Sequence, residues 1–233
     1  MVSRIAIIPA RGGSKRIPKK NILPFAGVPM IAWTIQAARE SGLFERVLVS
    51  TDSEEIAEVA KAHGAEVPFL REHGFDDHAP VSEATINALQ QAEAYWNTTF
   101  EQVVQLMANC PLRKAEHISE AIKRFDARGT DFQISCFQYG WMNPWWAVRL
   151  AADGKPSPLF EQAGKSRSQD LETLYCPTGA VWVARRAALL NAGTFYGPDH
   201  RFCPLSWEAA LDIDDMADFA MAMAVARMQG SVC

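Results

Sequence analysis

The sequence predicts an α/β fold built on a mainly parallel β-sheet that carries helices on both faces. Two observations lead to this prediction. Short apolar runs of the kind found in buried strands alternate with segments of helical periodicity from Ile5 to Phe137. The 233 residues are also enough to bury a large core as one domain. Strands that alternate with helices are joined by right-handed crossovers, which place helices on both faces of the sheet.

The predicted strands are the short apolar runs, and the predicted helices lie between them. The strands cover residues 5–8, 47–49, 67–70, 103–107, 134–137 and 180–183. The helices cover residues 29–41, 82–96 and 115–127, with one more that ends at Ala62 and a last one after Asp215. Asp52 and Glu55 have the spacing of a capping box, so we expect Asp52 to begin the helix that ends at Ala62.

The alternation stops over residues 139–175, which hold three tryptophans, several prolines and a polar run. A loop of this length is commonly a functional or interaction segment. The sequence therefore predicts one Rossmann-like domain over residues 1–233 with an inserted excursion at about residues 139–175. Sheets of this kind bind ligands at the carboxyl ends of their strands, so we expect the site in the segments that follow the strands.

Composition and charge exclude several classes of protein. The net charge of −4 gives no basic surplus of the kind that nonspecific nucleic-acid binders carry, so we expect no nucleic-acid partner. No apolar run reaches the ~18 residues that a membrane span needs. The five cysteines are odd in number and widely spaced, which favours reduced thiols and a cytoplasmic location.

A basic loop with two glycines follows the first predicted strand directly. Five cations fall within residues 11–20. Gly12 and Gly13 let a ligand approach the backbone amides, and Arg11 and Lys20 supply positive charge, so the loop suits a triphosphate and departing pyrophosphate. The loop matches neither the P-loop nor the GxGxxG pattern. The alternative is a solvated basic loop, but its position at a strand end and its paired glycines favour the phosphate site.

The second candidate motif is the pair Asp212 and Asp214. One residue separates them, so in an extended segment both carboxylates lie on the same side, where they suit Mg²⁺. The alternative is that Asp214 or Asp215 caps the last helix, and Asp215 is the better candidate for that task. On the residues alone, both interpretations stay open.

Five segments resemble, in the same order, the motifs of the nucleotidyltransferases that make CMP-activated acidic sugars. They are residues 9–21, 49–52, 109–113, 167–171 with Tyr175, and 211–214, and together they span nearly the whole chain. The first motif ends in Lys20-Asn21, which is similar to the branch that acts on sialic, pseudaminic and legionaminic acids. The branch that acts on KDO usually has Lys-Pro there.

The resemblance implies a nucleotidyltransferase-type fold, transfer of CMP from CTP to an acidic nine-carbon sugar, and Mg²⁺ as the cofactor. The implied nucleotide-binding residues are Arg11, Gly12, Gly13, Ser14, Lys20 and Asn21. The implied metal ligands are Asp212 and Asp214, and the implied catalytic residues are Arg11, Lys20 and Asp212. The implied sugar-binding residues are Arg167, Gln169, Tyr175 and Thr178. The alternatives are an exposed polar loop at Arg167 and Gln169 and a core position for Tyr175.

Two positions depart from the family pattern. Sialic acid synthetases commonly have a glutamine where this chain has Met107, and methionine offers no comparable hydrogen bond. Gln105 is expected to face the same side of the strand, but it lies two residues earlier and is therefore only a doubtful substitute for that glutamine. Thr178 stands where many relatives have asparagine. Both changes point away from sialic acid itself and towards a modified bacterial relative.

The family that the chain resembles commonly dimerises through an excursion at the position of residues 139–175, and each subunit contributes to its neighbour's sugar pocket. We therefore expect a homodimer built through residues 139–175. Two rival functions remain at this point. One is a KDO or other sugar nucleotidyltransferase, and the other is a noncatalytic nucleotide-binding protein of the same fold.

Overall fold

The computed structural model describes residues 2–71, 80–161 and 163–230. The strands are β1 (Arg4–Pro9), β2 (Pro24–Phe25), β3 (Val28–Pro29), β4 (Arg46–Ser50), β5 (Gln102–Gln105), β6 (Phe132–Gln138), β7 (Val148–Leu150), β8 (Pro156–Pro158), β9 (Tyr175–Arg185) and β10 (Arg201–Leu205). The helices are α1 (Met30–Glu40), α2 (Glu54–Ala62), α3 (Val81–Trp96), α4 (Ala115–Arg128), α5 (Arg186–Ala192), α6 (Trp207–Ala210) and α7 (Met216–Met228).

Six strands form one sheet in the order β10-β6-β9-β5-β1-β4. β1 is parallel to β4 and β5, and β10 is parallel to β6, whereas β9 is antiparallel to both of its neighbours. The prediction of a mostly parallel sheet with helices is therefore confirmed. β9 is the exception because the excursion brings the chain back beside β6, and an antiparallel neighbour needs no crossover helix.

The predicted strand at residues 67–70 is wrong. Only Glu66 bridges to Leu48, and the backbone then leaves the sheet edge. Pro68 explains the difference, because it has no N–H to continue the ladder. The edge strand β10 was not predicted, since Pro204 argues against a strand although an edge position tolerates it.

Two apolar layers enclose the sheet. Side chains of α1, α2 and α4 pack on one face and those of α3 and α5 on the other. α7 packs elsewhere, against Phe25, Met30 and Leu112 beyond the carboxyl ends of the strands. Within the described part of the chain, no helix combines the length and apolar character needed to cross a bilayer.

Two aspartates, Asp52 and Asp215, were predicted to cap helices, and the structure confirms this for one of them. Asp215 caps α7 as predicted, because its Oδ1 accepts from the N–H groups of Ala217 and Asp218 at 2.8 and 3.0 Å. Asp52 does not cap α2, which corrects the prediction. Ser53 is the cap, and its Oγ accepts from the N–H of Ile56. The Asp52 carboxylate is therefore left for another task.

The excursion between β6 and β9 carries the antiparallel hairpin β7–β8. Trp145 packs edge-on against Phe160 with 5.0 Å between ring centroids, and its indole N–H donates to the carbonyl of Glu172. Other large apolar side chains face outward: Trp141 is 86% exposed and Leu150 is 70% exposed. The excursion thus has a small packed centre of its own and an apolar outer surface.

Candidate active site

A cleft of about 570 Å³ opens at the carboxyl ends of β1, β4 and β5. The basic loop after β1 contributes five of the predicted residues to its wall, namely Arg11, Gly13, Ser14, Lys20 and Asn21. The remaining wall includes Asp52, Arg71, Met107, Asn109 and Asp214. The basic loop and the acidic motif, which are nearly 200 residues apart in sequence, therefore line the same cleft.

Backbone and side-chain hydrogen bonds fix the basic loop. The N–H of Ala10 extends the β1–β4 ladder by donating to the carbonyl of Ser50 at 2.9 Å. The buried amide of Asn21 donates to the carbonyl of Arg11 at 3.0 Å and ties the two ends of the loop together. Asn21 therefore shapes the loop in addition to lining the cleft.

The two glycines of the loop have different surroundings. A Cβ at Gly12 would lie 3.1 Å from the Cβ of Ser53, so this position approaches α2 closely. Its N–H donates to the Asp52 carboxylate at 2.7 Å. Among the described residues, no heavy atom would lie within 4 Å of a Cβ at Gly13, and Gly13 lines the cleft. The structure thus brings Gly13 to the cleft and turns the amide of Gly12 towards the protein.

Lys20 links the basic loop directly to the acidic motif. Its Nζ donates to the carbonyl of Ile213 at 2.8 Å and to the Asp214 carboxylate at 2.9 Å. Arg16 approaches the other oxygen of the same carboxylate at 3.4 Å. The Lys20 side chain is only 16% exposed, so this ion pair is partly protected from solvent.

Asn109 supports the acidic motif from the segment after β5. Its side-chain Nδ2 donates to the carbonyl of Ile213 at 3.1 Å and faces Asp214 Oδ1 at 3.4 Å. The backbone carbonyl of Asn109 accepts from the N–H of Ile213. Its Oδ1 is buried without a hydrogen-bond partner among the residues that the structure describes. The residue belongs to a motif that the sequence identified, but no role was predicted for it.

The two aspartates of the motif differ in their electrostatic surroundings. Lost hydration raises the pKa of Asp212, and the neighbouring Asp214 charge raises it further, although Asp212 still reaches solvent. Lost hydration alone would also raise the pKa of Asp214, but the hydrogen bond and charge of Lys20, with help from Arg16, lower it overall. Asp214 is therefore the more stably ionised of the pair.

The donor atoms of this motif fit Mg²⁺. Asp212 and Asp214 offer two carboxylates that both reach solvent, so the available ligands are hard oxygens. A magnesium ion that also binds phosphate needs only one or two protein carboxylates. No cluster of three or more His, Cys, Asp or Glu side chains suited to a metal occurs in residues 2–71, 80–161 and 163–230.

The predicted sugar-binding residues lie outside this cleft wall. Arg167 and Gln169 are exposed on the excursion, where the Arg167 guanidinium forms a two-point ion pair with Asp170 at 2.7 and 3.2 Å. Tyr175 is about half exposed at the start of β9. Thr178 is buried, and its hydroxyl donates to the carbonyl of Ala210 at 2.8 Å. Their sugar-binding roles stay predictions.

Met107 and Gln105 occupy different environments. Met107 lines the cleft, and its Cγ fills the space beside Gly179, where an added Cβ would lie 2.5 Å away. Gln105 is fully buried and accepts from the hydroxyl of Thr85 on α3 at 2.7 Å. Gln105 therefore does not replace the glutamine that the family commonly has at position 107.

The motif at residues 109–113 provides support beneath the cleft floor. The buried Arg113 donates to the carbonyls of Met107 and Ala180 and to the hydroxyl of Thr34, and burial lowers its pKa to about 10. Burial raises the pKa of Cys110 to about 12, so its thiol stays protonated and is not a nucleophile. The hydrogen bonds of Arg113 therefore hold the cleft floor in place.

Arg71 is a cleft residue that the sequence prediction missed. Its N–H donates to the carbonyl of Thr51 at 2.8 Å, and its guanidinium lies 4.0 Å from the Asp52 carboxylate. Desolvation lowers its pKa, the Asp52 charge opposes that shift, and the Arg11 charge adds to it. Arg71 directly follows the apolar run at residues 67–70, and a cation at the end of such a run could have indicated a cleft residue from the sequence.

Comparisons with known proteins agree with this geometry. The family model described as cytidylyltransferase matches residues 5–180. The chain is 35% identical to a pseudaminic acid cytidylyltransferase of Campylobacter jejuni (strain 81-176) over 95% of both chains. It is 34% identical to a CMP-N,N'-diacetyllegionaminic acid synthase of Legionella pneumophila (strain Philadelphia 1) over 93% of both.

A further relative differs in length. An N-acylneuraminate cytidylyltransferase of Streptococcus agalactiae (strain NEM316) is 33% identical over 92% of this chain, which spans about half (51%) of that protein. The fold is similar to a CMP:2-keto-3-deoxy-manno-octonic acid synthetase complexed with CTP, with a TM-score of 0.72, 17% identity, and coverage of 97% of this chain and 99% of the other. The chain belongs to the cytidylyltransferase family and is a nucleotidyltransferase.

Proposed function

We propose that this enzyme transfers CMP from CTP to the anomeric hydroxyl of an acidic nine-carbon sugar and releases pyrophosphate. The sugar is of the sialic, pseudaminic or legionaminic acid type. The observation that carries the proposal is the cleft in which the basic loop faces the acidic motif across the Lys20–Asp214 ion pair. Relatives named for all three sugars, similar over more than 90% of this chain, support the substrate class.

The reaction is a direct displacement at phosphorus. The anomeric oxygen of the sugar attacks the α-phosphorus of CTP, the bond from that phosphorus to the bridging oxygen of the β-phosphate breaks, and the hydroxyl proton leaves to solvent. Arg11 and Lys20 neutralise phosphate oxygens, and Gly13 and Ser14 offer a backbone surface to the triphosphate. The enzyme therefore works by positioning and charge stabilisation rather than through a protein nucleophile.

Asp212 and Asp214 would hold Mg²⁺ in this proposal. When bound, the ion neutralises phosphate charge and lowers the pKa of the attacking hydroxyl. The variant Asp212→Ala should lose turnover by about a hundredfold or more, the scale found when one group that stabilises developing charge is removed. The control is Asp215→Ala, since Asp215 caps α7. Near-normal Mg²⁺-dependent turnover of Asp212→Ala would contradict the metal assignment.

The sugar-binding segment and the outer surface of the excursion belong to the same proposal. Arg167, Gln169 and Tyr175 are exposed on or beside the excursion, which also exposes Trp141 and Leu150. A homodimer formed through this surface would bury the apolar side chains and bring the polar segment to the partner's cleft. We place the reaction in the cytoplasm, in line with the wide cysteine spacing.

The deciding experiment measures pyrophosphate release with CTP and Mg²⁺ across sialic acid, pseudaminic acid, legionaminic acid and KDO. Release with one of the first three sugars establishes the reaction and identifies the substrate. Release with KDO alone would overturn the proposed sugar class. CTP binding without release from any sugar would overturn the proposed reaction and favour a noncatalytic nucleotide-binding protein.

A further inference from the structure

The Asp52 carboxylate lies in the cleft wall between the basic loop and Arg71. Its Oδ1 accepts from the N–H of Gly12 at 2.7 Å, and the Arg71 guanidinium is 4.0 Å from the same oxygen. The Asp52 side chain is 40% exposed, whereas Arg71 is only 10% exposed. The mechanism proposed above assigns no task to Asp52.

Neighbouring residues already perform the structural tasks at this turn. Ser53 caps α2, and the hydroxyl of Thr51 accepts from the N–H of Ser53 at 3.1 Å. The carbonyl of Thr51 accepts from the N–H of Arg71 at 2.8 Å. The side chain of Asp52 is thus the part of the turn that bonds to the basic loop.

A carboxylate in a cleft for a triphosphate opposes ligand binding through direct repulsion. Asp52 is not one of the two carboxylates proposed to hold Mg²⁺, so any aid it gives the reaction must come through the groups it holds. Gly12 lies so close to Ser53 that a Cβ at this position would be 3.1 Å from the Cβ of Ser53. Gly13, in contrast, is open towards the cleft. The bond from Gly12 to Asp52 consequently fixes the loop at the residue before Gly13, which lines the cleft.

We propose that Asp52 is a positioning residue for nucleotidyl transfer, which fixes the basic loop through the Gly12 amide and orients Arg71 beside it. This inference rests on the proposed function and adds a residue to it. Removal of the carboxylate frees the loop, so the triphosphate meets a less ordered set of donors. Asparagine keeps an acceptor oxygen for Gly12 and removes the charge, so it preserves part of the effect.

The test compares the wild type with Asp52→Ala and Asp52→Asn. The control is Glu101→Ala, because Glu101 also accepts a backbone N–H, that of Ser3, at the opposite end of β1. Three quantities are measured: kcat and KM for CTP by pyrophosphate release, the melting temperature, and amide hydrogen exchange at Gly12 by NMR.

Asp52→Ala should lower kcat/KM by about tenfold to a hundredfold, the range expected when one hydrogen bond to a charged group is lost. It should also accelerate exchange at Gly12, with a melting temperature close to that of the wild type. Asp52→Asn should recover part of both losses, and Glu101→Ala should show neither. A large fall in melting temperature that accounts for the lost activity would overturn the positioning role.

Two further results would also overturn it. One is wild-type kinetics in Asp52→Ala. The other is a changed Mg²⁺ dependence in Asp52→Asn with unchanged exchange at Gly12, which would make Asp52 a metal ligand. Failure of the proposed function itself is distinguishable, because the wild type would then release no pyrophosphate, while the exchange measurement at Gly12 would still report on the contact.

Discussion

At the scale of single residues, the cleft contains a pairing between groups with different proposed tasks. Lys20 is assigned to phosphate and Asp214 to the metal, yet their side chains are hydrogen-bonded to each other at 2.9 Å. A phosphate that binds without a metal must compete with the Asp214 carboxylate for Lys20. Metal on the carboxylate would remove that competition, so nucleotide and metal binding should support each other.

This competition gives a prediction for Asp214→Asn. In the absence of metal, the variant should bind CTP about twofold to fivefold more tightly than the wild type. The reason is that the partly exposed Asp214 carboxylate, which repels the triphosphate, is neutralised and Lys20 is released. Calorimetric titration with CTP in EDTA measures this. The variant should also lose most of the affinity gain that Mg²⁺ gives the wild type. Unchanged or weaker metal-free binding would show that the ion pair does not restrain Lys20.

At the scale of secondary-structure elements, α4 begins with a contact that depends on a neutral histidine. The Nδ1 of His117 accepts from the N–H of Lys114 at 3.0 Å, and the ring is about one-fifth exposed. Burial lowers the pKa of His117, the neighbouring Glu116 partly opposes this, and Lys114 and Arg113 add to it. The folded state therefore favours the neutral ring, and the unfolded state binds the proton more readily.

The sign of the pH effect follows from that shift. The contribution of His117 to stability is fully present above the unfolded pKa of about 6.5 and is lost as the pH falls through the lower folded pKa. The difference in the free energy of unfolding between the wild type and His117→Ala should therefore shrink as the pH falls below about 6.5. Urea unfolding at several pH values tests this, and a difference that grows towards acid would contradict it.

The strands also show which parts of the fold could be predicted from the sequence alone. Continuous apolar runs such as Ile5–Ile8 predicted the buried parallel strands, because burial on both faces leaves a strong local signal. The run at 67–70 is equally apolar, but Pro68 ends the ladder. The site residues divide in the same way: Arg11 and Lys20 were predicted from one contiguous motif, and Asp214 from a second one. The role of Asp52 was not, since it depends on a contact with Gly12, 40 residues away.

At the scale of the whole molecule, the predicted substrate residues fall in two separate places. The cleft holds the basic loop and the acidic motif, while Arg167 and Gln169 lie on the excursion, outside the cleft wall. The excursion also exposes several large apolar side chains, among them Trp141 and Leu150. The proposed homodimer would account for both features, since a second subunit would cover the apolar surface and bring the polar segment to the cleft of its neighbour.

The dimer is tested with the double variant Trp141→Glu and Leu150→Glu, which places charge on the apolar surface of the excursion. We expect light scattering to show a dimer for the wild type and a monomer for the variant, because buried unpaired charges are costly at an interface. The monomer should still bind CTP but should lose saturable turnover with the sugar.

The control is Met228→Glu, since Met228 is 87% exposed on α7, outside the excursion. This variant should keep the mass and turnover of the wild type. A wild type that is monomeric at the concentrations used for turnover, or a double variant that stays dimeric, would contradict the assembly. A monomeric variant with normal sugar saturation would show that each chain binds its sugar without help from a partner, and the sugar site would then have to lie within one cleft.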